Sequence, residues 1–245
     1  MHPEILKRIC KTPNNDFVAR CTTPVISFGD FQKAKIGTLG INPSSAEFYS
    51  KDALYSPDKK RLVDLEILKI HSQEKLTEEK AQEVLDGCYN YFSKRPLKWF
   101  NVFEELLNLK SYSYKDGSAS HIDLVQWCTI PVWNEIPKID QEKLLISDGS
   151  FFQWQFENND MESILLGGRQ VLGQVQKIPG VTLELVDKQF YYSGARKIPY
   201  EIYKMENFKG RKLVGWSVNL QTMRSSKEEK RGVIECLKNF LRDEI

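Results

Sequence analysis

The chain is short of what a metal centre or a disulfide scaffold needs. Its five cysteines, Cys10, Cys21, Cys88, Cys128 and Cys236, are odd in number, far apart and without a C-x-x-C pair, and its only histidines are His2, His71 and His121. Zinc and iron–sulfur sites usually draw ligands from closely spaced pairs, and disulfide frameworks belong to small secreted domains, so reduced, buried thiols are expected, with no metal and no cofactor. Long apolar runs are missing too. Stretches such as Ile164-Leu165-Leu166 fall far short of the roughly 20 residues that cross a bilayer. The start Met1-His2-Pro3-Glu4 has no signal-peptide core, so a cytoplasmic protein without a membrane partner is expected. No feature marks an obligate protein partner.

Repeats and low-complexity tracts are also absent. With 245 residues, 41% of them hydrophobic, the chain can bury one substantial core, and a single domain over 1–245 is expected. The net charge of +2 hides an asymmetry: Asp116 to Ser163 holds nine acidic and two basic residues, whereas Asp187 to Arg231 holds eleven basic and five acidic. A basic face toward the C-terminal end suits a polyanion.

What is present begins with Lys35-Ile-Gly-Thr-Leu-Gly-Ile-Asn-Pro-Ser-Ser45, an apolar run stopped by Gly40 and a rigid Asn42-Pro43 turn. That pattern reads as a buried strand delivering a polar side chain to the carboxyl edge of a sheet, where open α/β folds place ligands. Residues 1–30 before it read as irregular. Helical patterning follows over Lys59–Ile70, Thr77–Lys94 and Lys98–Leu109, with Thr77 as an N-cap and Glu78 and Glu79 suiting the helix dipole. His121–Trp127 reads as a second strand. Short helices are expected around Gln141–Ile146 and Phe151–Glu157, then a third strand, Ser163–Leu166, a Gly167-Gly168 turn and a helix near Arg169–Gln176. Thr182–Lys204 reads as extended and hairpin-like, and Lys212–Val218 as a fourth core strand. Ser226 and Glu229 form an S-x-x-E capping box ahead of an amphipathic C-terminal helix. Four strands separated by helices predict a three-layer α/β/α sandwich around a four-stranded, mainly parallel sheet.

Three polar residues are expected to converge on the carboxyl edge of the sheet: Asn42 after the first strand, Asp123 within the second and Asn219 after the fourth. Singly, each also reads as a turn cap bonded to its own backbone. Glu47 is a candidate assistant to Asn42, although its position reads more simply as a surface helix residue. His121 and Asp123 share one strand face and could form a dyad, but too few histidines remain for a metallohydrolase.

Gly40-Ile41-Asn42-Pro43 resembles the first motif of the uracil-DNA glycosylase superfamily, particularly its mismatch-specific branch, and Asn219-Leu-Gln-Thr-Met223 is similar to the second. The resemblance extends over about 200 residues from the first strand onward. It implies a monofunctional DNA glycosylase acting on double-stranded DNA, with Asn42 positioning the attacking water, Asn219 supporting the leaving base and Met223 filling the vacated stack, Arg224 being a second possible wedge. It also implies base contacts from Ile41, Phe48 and Tyr49 and DNA contacts from Ser44 and Ser45. This sequence departs from the family at Ser44, usually glycine, and at Leu220, usually proline. Where several branches read uracil with an asparagine, the matching residue is Asp123. A carboxylate only accepts hydrogen bonds, so Asp123 repels uracil O4 and suits the N4 amino group of cytosine. A modified cytosine, hydroxymethylated or glucosylated as in some phage DNA, is therefore the expected target. A uracil or thymine mismatch repair enzyme and an inactive nucleic-acid binding module remain alternatives. Trp127, Trp133, Tyr191 and Tyr192 are further stacking candidates.

Overall fold

The computed structural model describes every residue except Lys51, Asp52, Ala195, Thr222, Arg224, Ser225 and Ile245, and only the backbone of Pro57 and Arg196. In chain order the elements are α1 (Pro3–Cys10), β1 (Ile36–Gly40), β2 (Tyr49–Ser50), β3 (Ala53–Leu54), α2 (Glu78–Tyr89), α3 (Asn101–Leu107), β4 (Ala119–Asp123), α4 (Lys138–Glu157), β5 (Ser163–Gly167), α5 (Arg169–Val175), β6 (Glu184–Ser193), β7 (Arg196–Phe208), β8 (Arg211–Trp216) and α6 (Lys227–Glu244). They form two compact units, each discontinuous in sequence: 1–32, 41–97 and 121–159 make the first, and 33–40, 98–120 and 160–245 the second. None of the described helices is long and apolar enough to cross a membrane.

The fold is mixed α/β, with a mainly parallel six-stranded sheet ordered β4-β1-β5-β8-β7-β6. β1 pairs with β5 and β5 with β8 in parallel, Leu39 opposite Leu166 and Leu166 opposite Gly215. Unbroken apolar runs rather than alternation are what strands covered on both faces need, and every residue of β1 is buried. The sheet has six strands rather than four because the 182–204 region does not stand apart: β6 and β7 form an antiparallel hairpin, and β7 adds to β8 with Ile202 opposite Trp216. Gly215 is required at that crowded centre, since a Cβ there would fall 2.9 Å from Leu166 Cβ. At the far end of the chain the capping box forms in both directions, Ser226 N donating to Glu229 Oε2 at 3.0 Å and Glu229 N to Ser226 Oγ at 3.1 Å. α6 then buries Val233, Ile234, Leu237 and Leu241.

The first unit differs more from expectation. The start is not irregular: α1 opens on Pro3 with His2 as N-cap and buries Ile5, Arg8 and Ile9. Residues 59–70 are not a helix. Leu62, Leu65 and Leu68 are buried at a helix-like spacing, but the chain reaches them through turns fixed by Asp64 Oδ1, which accepts from Ile67 N at 2.9 Å, and by a left-handed Lys69. Thr77 caps α2 as its sequence predicts, accepting from Lys80 N at 3.3 Å. One continuous helix, α4, replaces the two short ones, because polar Asp148 in the supposed gap is buried and paired. β4 ends at Asp123, four residues before its expected end. Past it, Gln126 folds its side-chain amide back onto Asp123 O at 2.8 Å.

Candidate active site

Within the first unit, the chain leaving β1 is fixed at once, since Val125 N donates to Ile41 O at 2.9 Å. Asn42 follows, half-buried, and its amide nitrogen donates to Trp127 O at 3.3 Å, Thr129 Oγ1 at 3.2 Å and Pro43 O at 3.2 Å. Two of these partners are carbonyl oxygens, which only accept, so the amide has a single workable orientation. Its Oδ1 points the other way, an acceptor held in place by the donors on its own nitrogen.

Ser44 then caps a short 3-10 turn, its Oγ accepting from Ala46 N at 3.2 Å. That turn carries Glu47 inward. Far from lying on a surface helix, Glu47 is 1% exposed, with the Tyr91 hydroxyl 2.8 and 2.9 Å from its two carboxyl oxygens. Tyr91 is itself held by Leu97 N, which donates to its oxygen at 2.9 Å. Burial pushes the Glu47 carboxyl up to about 8. The Tyr91 hydrogen bond and the Arg61 charge oppose the shift, and the Asp123 charge adds to it. Glu47 therefore carries its proton at neutral pH.

Asp123, the last residue of β4, is 3% exposed, with Oδ1 3.4 Å from His121 Nε2. Phe28 lies beside both groups, its ring 5.8 Å from the His121 ring and 4.6 Å from the Tyr91 ring. Buried Cys128 is pushed up to about 12 by desolvation, a thiol that stays protonated and unreactive. The segment 123–129, which carries Asp123 and holds the Asn42 amide, is pinned by Arg8. The guanidinium donates from Nε to Gln126 Oε1 at 3.0 Å and from Nη2 to Asp148 Oδ2 at 2.7 Å, and it lies 5.1 Å over the Trp127 ring. Gln126 N in turn donates to Asp148 Oδ2 at 2.9 Å.

The first unit thus gathers Asn42, Glu47 and Asp123 around one segment. It does not offer Phe48 for stacking, because that ring is 1% exposed and belongs to the core, as does Trp127. Tyr49 and Ile41 are half-buried, the Tyr49 hydroxyl donating to Arg20 O at 2.5 Å. Ser44 is exposed, Ser45 and Trp133 half-buried.

In the second unit, Asn219 is exposed on the loop after β8, its Oδ1 accepting from Gln221 N at 3.1 Å in a turn of the kind asparagine favours. Gly168, at φ 95°, lets that loop approach: a Cβ there would lie 3.1 Å from Asn219 Cβ. Leu220 anchors the loop in the core, and Met223 is half-buried. Arg224 lies outside the described residues. Tyr191 packs against α6 and Tyr192 is exposed.

Tyr91, Arg61, Thr129 and the Arg8–Asp148 pair were not foreseen as parts of this arrangement. None sits in a recognisable motif, and Tyr91 is 44 residues from the carboxyl that it touches. Compared with known proteins, the chain matches no family model and no curated relative.

Proposed function

We propose that the chain is a monofunctional DNA glycosylase of the uracil-DNA glycosylase type, on a three-layer α/β/α fold, which flips a modified cytosine out of double-stranded DNA and hydrolyses its N-glycosidic bond. The observation that carries this reading is the locked Asn42 amide, whose Oδ1 is presented as an acceptor. N-glycoside cleavage passes through a cation-like sugar, so the enzyme has to hold a water near the anomeric carbon rather than make it a strong nucleophile. A fixed amide oxygen does this by accepting one water hydrogen bond. Asp123 reads the base by accepting from the cytosine N4 amino group. Glu47, whose pKa burial raises, keeps its proton and takes no part as a base. Asn219 and Met223 keep the roles implied by resemblance, support of the leaving base and entry into the vacated stack. Restriction to hydroxymethylated or glucosylated cytosine, as phages install, spares an ordinary genome and makes defence the biological setting.

The test is base release from duplexes carrying uracil, a G·T mismatch, cytosine, 5-hydroxymethylcytosine or its glucosylated forms, scored by cleavage at the abasic site. Release confined to a modified cytosine is expected, reduced by about 10²-fold or more in Asn42→Ala. Uracil release alone would return the protein to mismatch repair. Tight DNA binding without release from any duplex would make it a binding module.

A further inference from the structure

Three cations stand at the unfavourable end of α6. Lys227, Lys230 and Arg231 are spaced i, i+3 and i+4, so they share one face of its first turns, where the helix dipole favours anions and neighbouring like charges repel. Among the described residues no carboxylate lies within ion-pair distance of any of them. Nearby acids make their hydrogen bonds elsewhere, Glu229 in the capping box and both Glu105 and Glu235 to Lys238 Nζ at 2.5 and 2.8 Å, while the Glu235 charge also acts on Arg231. Together with Glu105 and Ile234, the three cations line a cleft of about 350 Å³, the size of small-ligand sites in general. α6 is not free to turn this face away, because Gly232 sits against the Tyr191 ring so closely that any Cβ there would overlap it.

We infer that this cleft is a phosphate site for the backbone of DNA, with Lys227, Lys230 and Arg231 neutralising successive phosphates. The cations spread over about 6 Å of helix axis, a strip rather than the converging cradle that a single compact anion needs. They also close the 187–231 stretch, in which basic residues outnumber acidic ones eleven to five. Repulsion tolerated at the helix start is relieved when phosphates neutralise the cations, which in turn release the counterions condensed on the DNA. The inference rests on the proposed function only for the choice of DNA, and it involves no base chemistry.

The test uses the full chain and an unmodified, fluorescently labelled duplex, with binding followed by anisotropy across a salt series. Substituting Lys227→Gln, Lys230→Gln and Arg231→Gln together is expected to make the slope of log Kd against log salt shallower by about 2–3 and to weaken binding at 0.1 M salt by about 10²-fold. A control triple of equal charge at exposed sites, Lys7→Gln, Lys138→Gln and Lys177→Gln, should leave the slope nearly unchanged. The first triple should also melt no lower than wild type at low salt, since it removes repulsion.

Equal losses in both triples would overturn the inference. So would displacement of the duplex by low-millimolar inorganic phosphate at constant ionic strength, which marks a free-phosphate site. Binding to phosphatidylserine vesicles that depends on these residues, with duplex binding unaltered, would also overturn it. A slope difference in a protein that releases no base would sink the glycosylase reading alone.

Discussion

Glu47→Gln is expected to remove most of the pH dependence of stability between pH 5 and 9. In the folded protein the carboxyl titrates at about 8, against an ordinary 4.5, chiefly because burial penalises its charged form. The sign follows from which state holds the proton. Below about pH 4.5 both states are protonated and the contribution is fully present. Between the two values only the folded state keeps the proton, so stability falls as pH rises, and the contribution is lost once pH passes about 8. At about 1.4 kcal/mol per pH unit the decline is on the order of 5 kcal/mol. Glutamine keeps the shape, still accepts from Tyr91 and never ionises. Unfolding free energies from urea titrations at pH 5, 7 and 9 should therefore match wild type at the acid end and exceed it by several kcal/mol at the alkaline end. Parallel declines in the two proteins would refute the buried neutral acid. The same substitution should leave base release at pH 7 largely intact, because on this reading Glu47 is never the base that takes the proton from water.

The parts of the molecule legible in the sequence are those whose cause is local. β1, β5 and β8 announce themselves as apolar runs ended by glycine or a turn, and the α6 cap is written in Ser226 and Glu229. Asn42 is legible for the same reason, standing just past a buried strand; Asp123 is legible only in part, since it closes β4 rather than lying within the strand. Glu47 is not. Its burial is decided by a Ser44-capped turn and by Tyr91, and nothing within a few residues distinguishes it from a surface glutamate. Leu62, Leu65 and Leu68 mislead in the opposite direction, since a threefold apolar spacing arises equally from successive turns around a buried aspartate. The division of α4 failed because Ser147-Asp148-Gly149-Ser150 has the composition of a loop, while its aspartate has a partner 140 residues away. Local propensity cannot register a pair at that separation.

That pair supplies the second large effect. Asp148→Ala should destabilise the protein by about 3–5 kcal/mol, because it leaves the Arg8 guanidinium, only 2% exposed, without its counter-charge. Burial already lowers the pKa of Arg8, and Asp148 pulls it back through its charge and hydrogen bond. Arg8 Nη1 and Asp148 Oδ1 have no hydrogen-bond partner among the described residues, and apart from each other the two groups are hydrogen-bonded only through Gln126. Removing both charges is a different matter. Arg8→Met combined with Asp148→Asn takes no ion into the core, and the asparagine oxygen can still accept from Gln126 N. The double variant should therefore be more stable than the single one despite carrying an additional substitution, which urea denaturation would show directly. A single-variant loss below about 1 kcal/mol, or a double variant no more stable than the single one, would mean that the buried charges carry little of the energy. The functional consequence is separable from stability. The double variant loses the Arg8 tether on Gln126 Oε1, and Gln126 is what folds the chain back after Asp123. Fully folded double variant should therefore release base more slowly than wild type, and restoring Arg8 alongside Asp148→Asn should recover the rate even though that protein melts lower, since the rate follows the placement of segment 123–129 and the melting point follows the charge balance of its support.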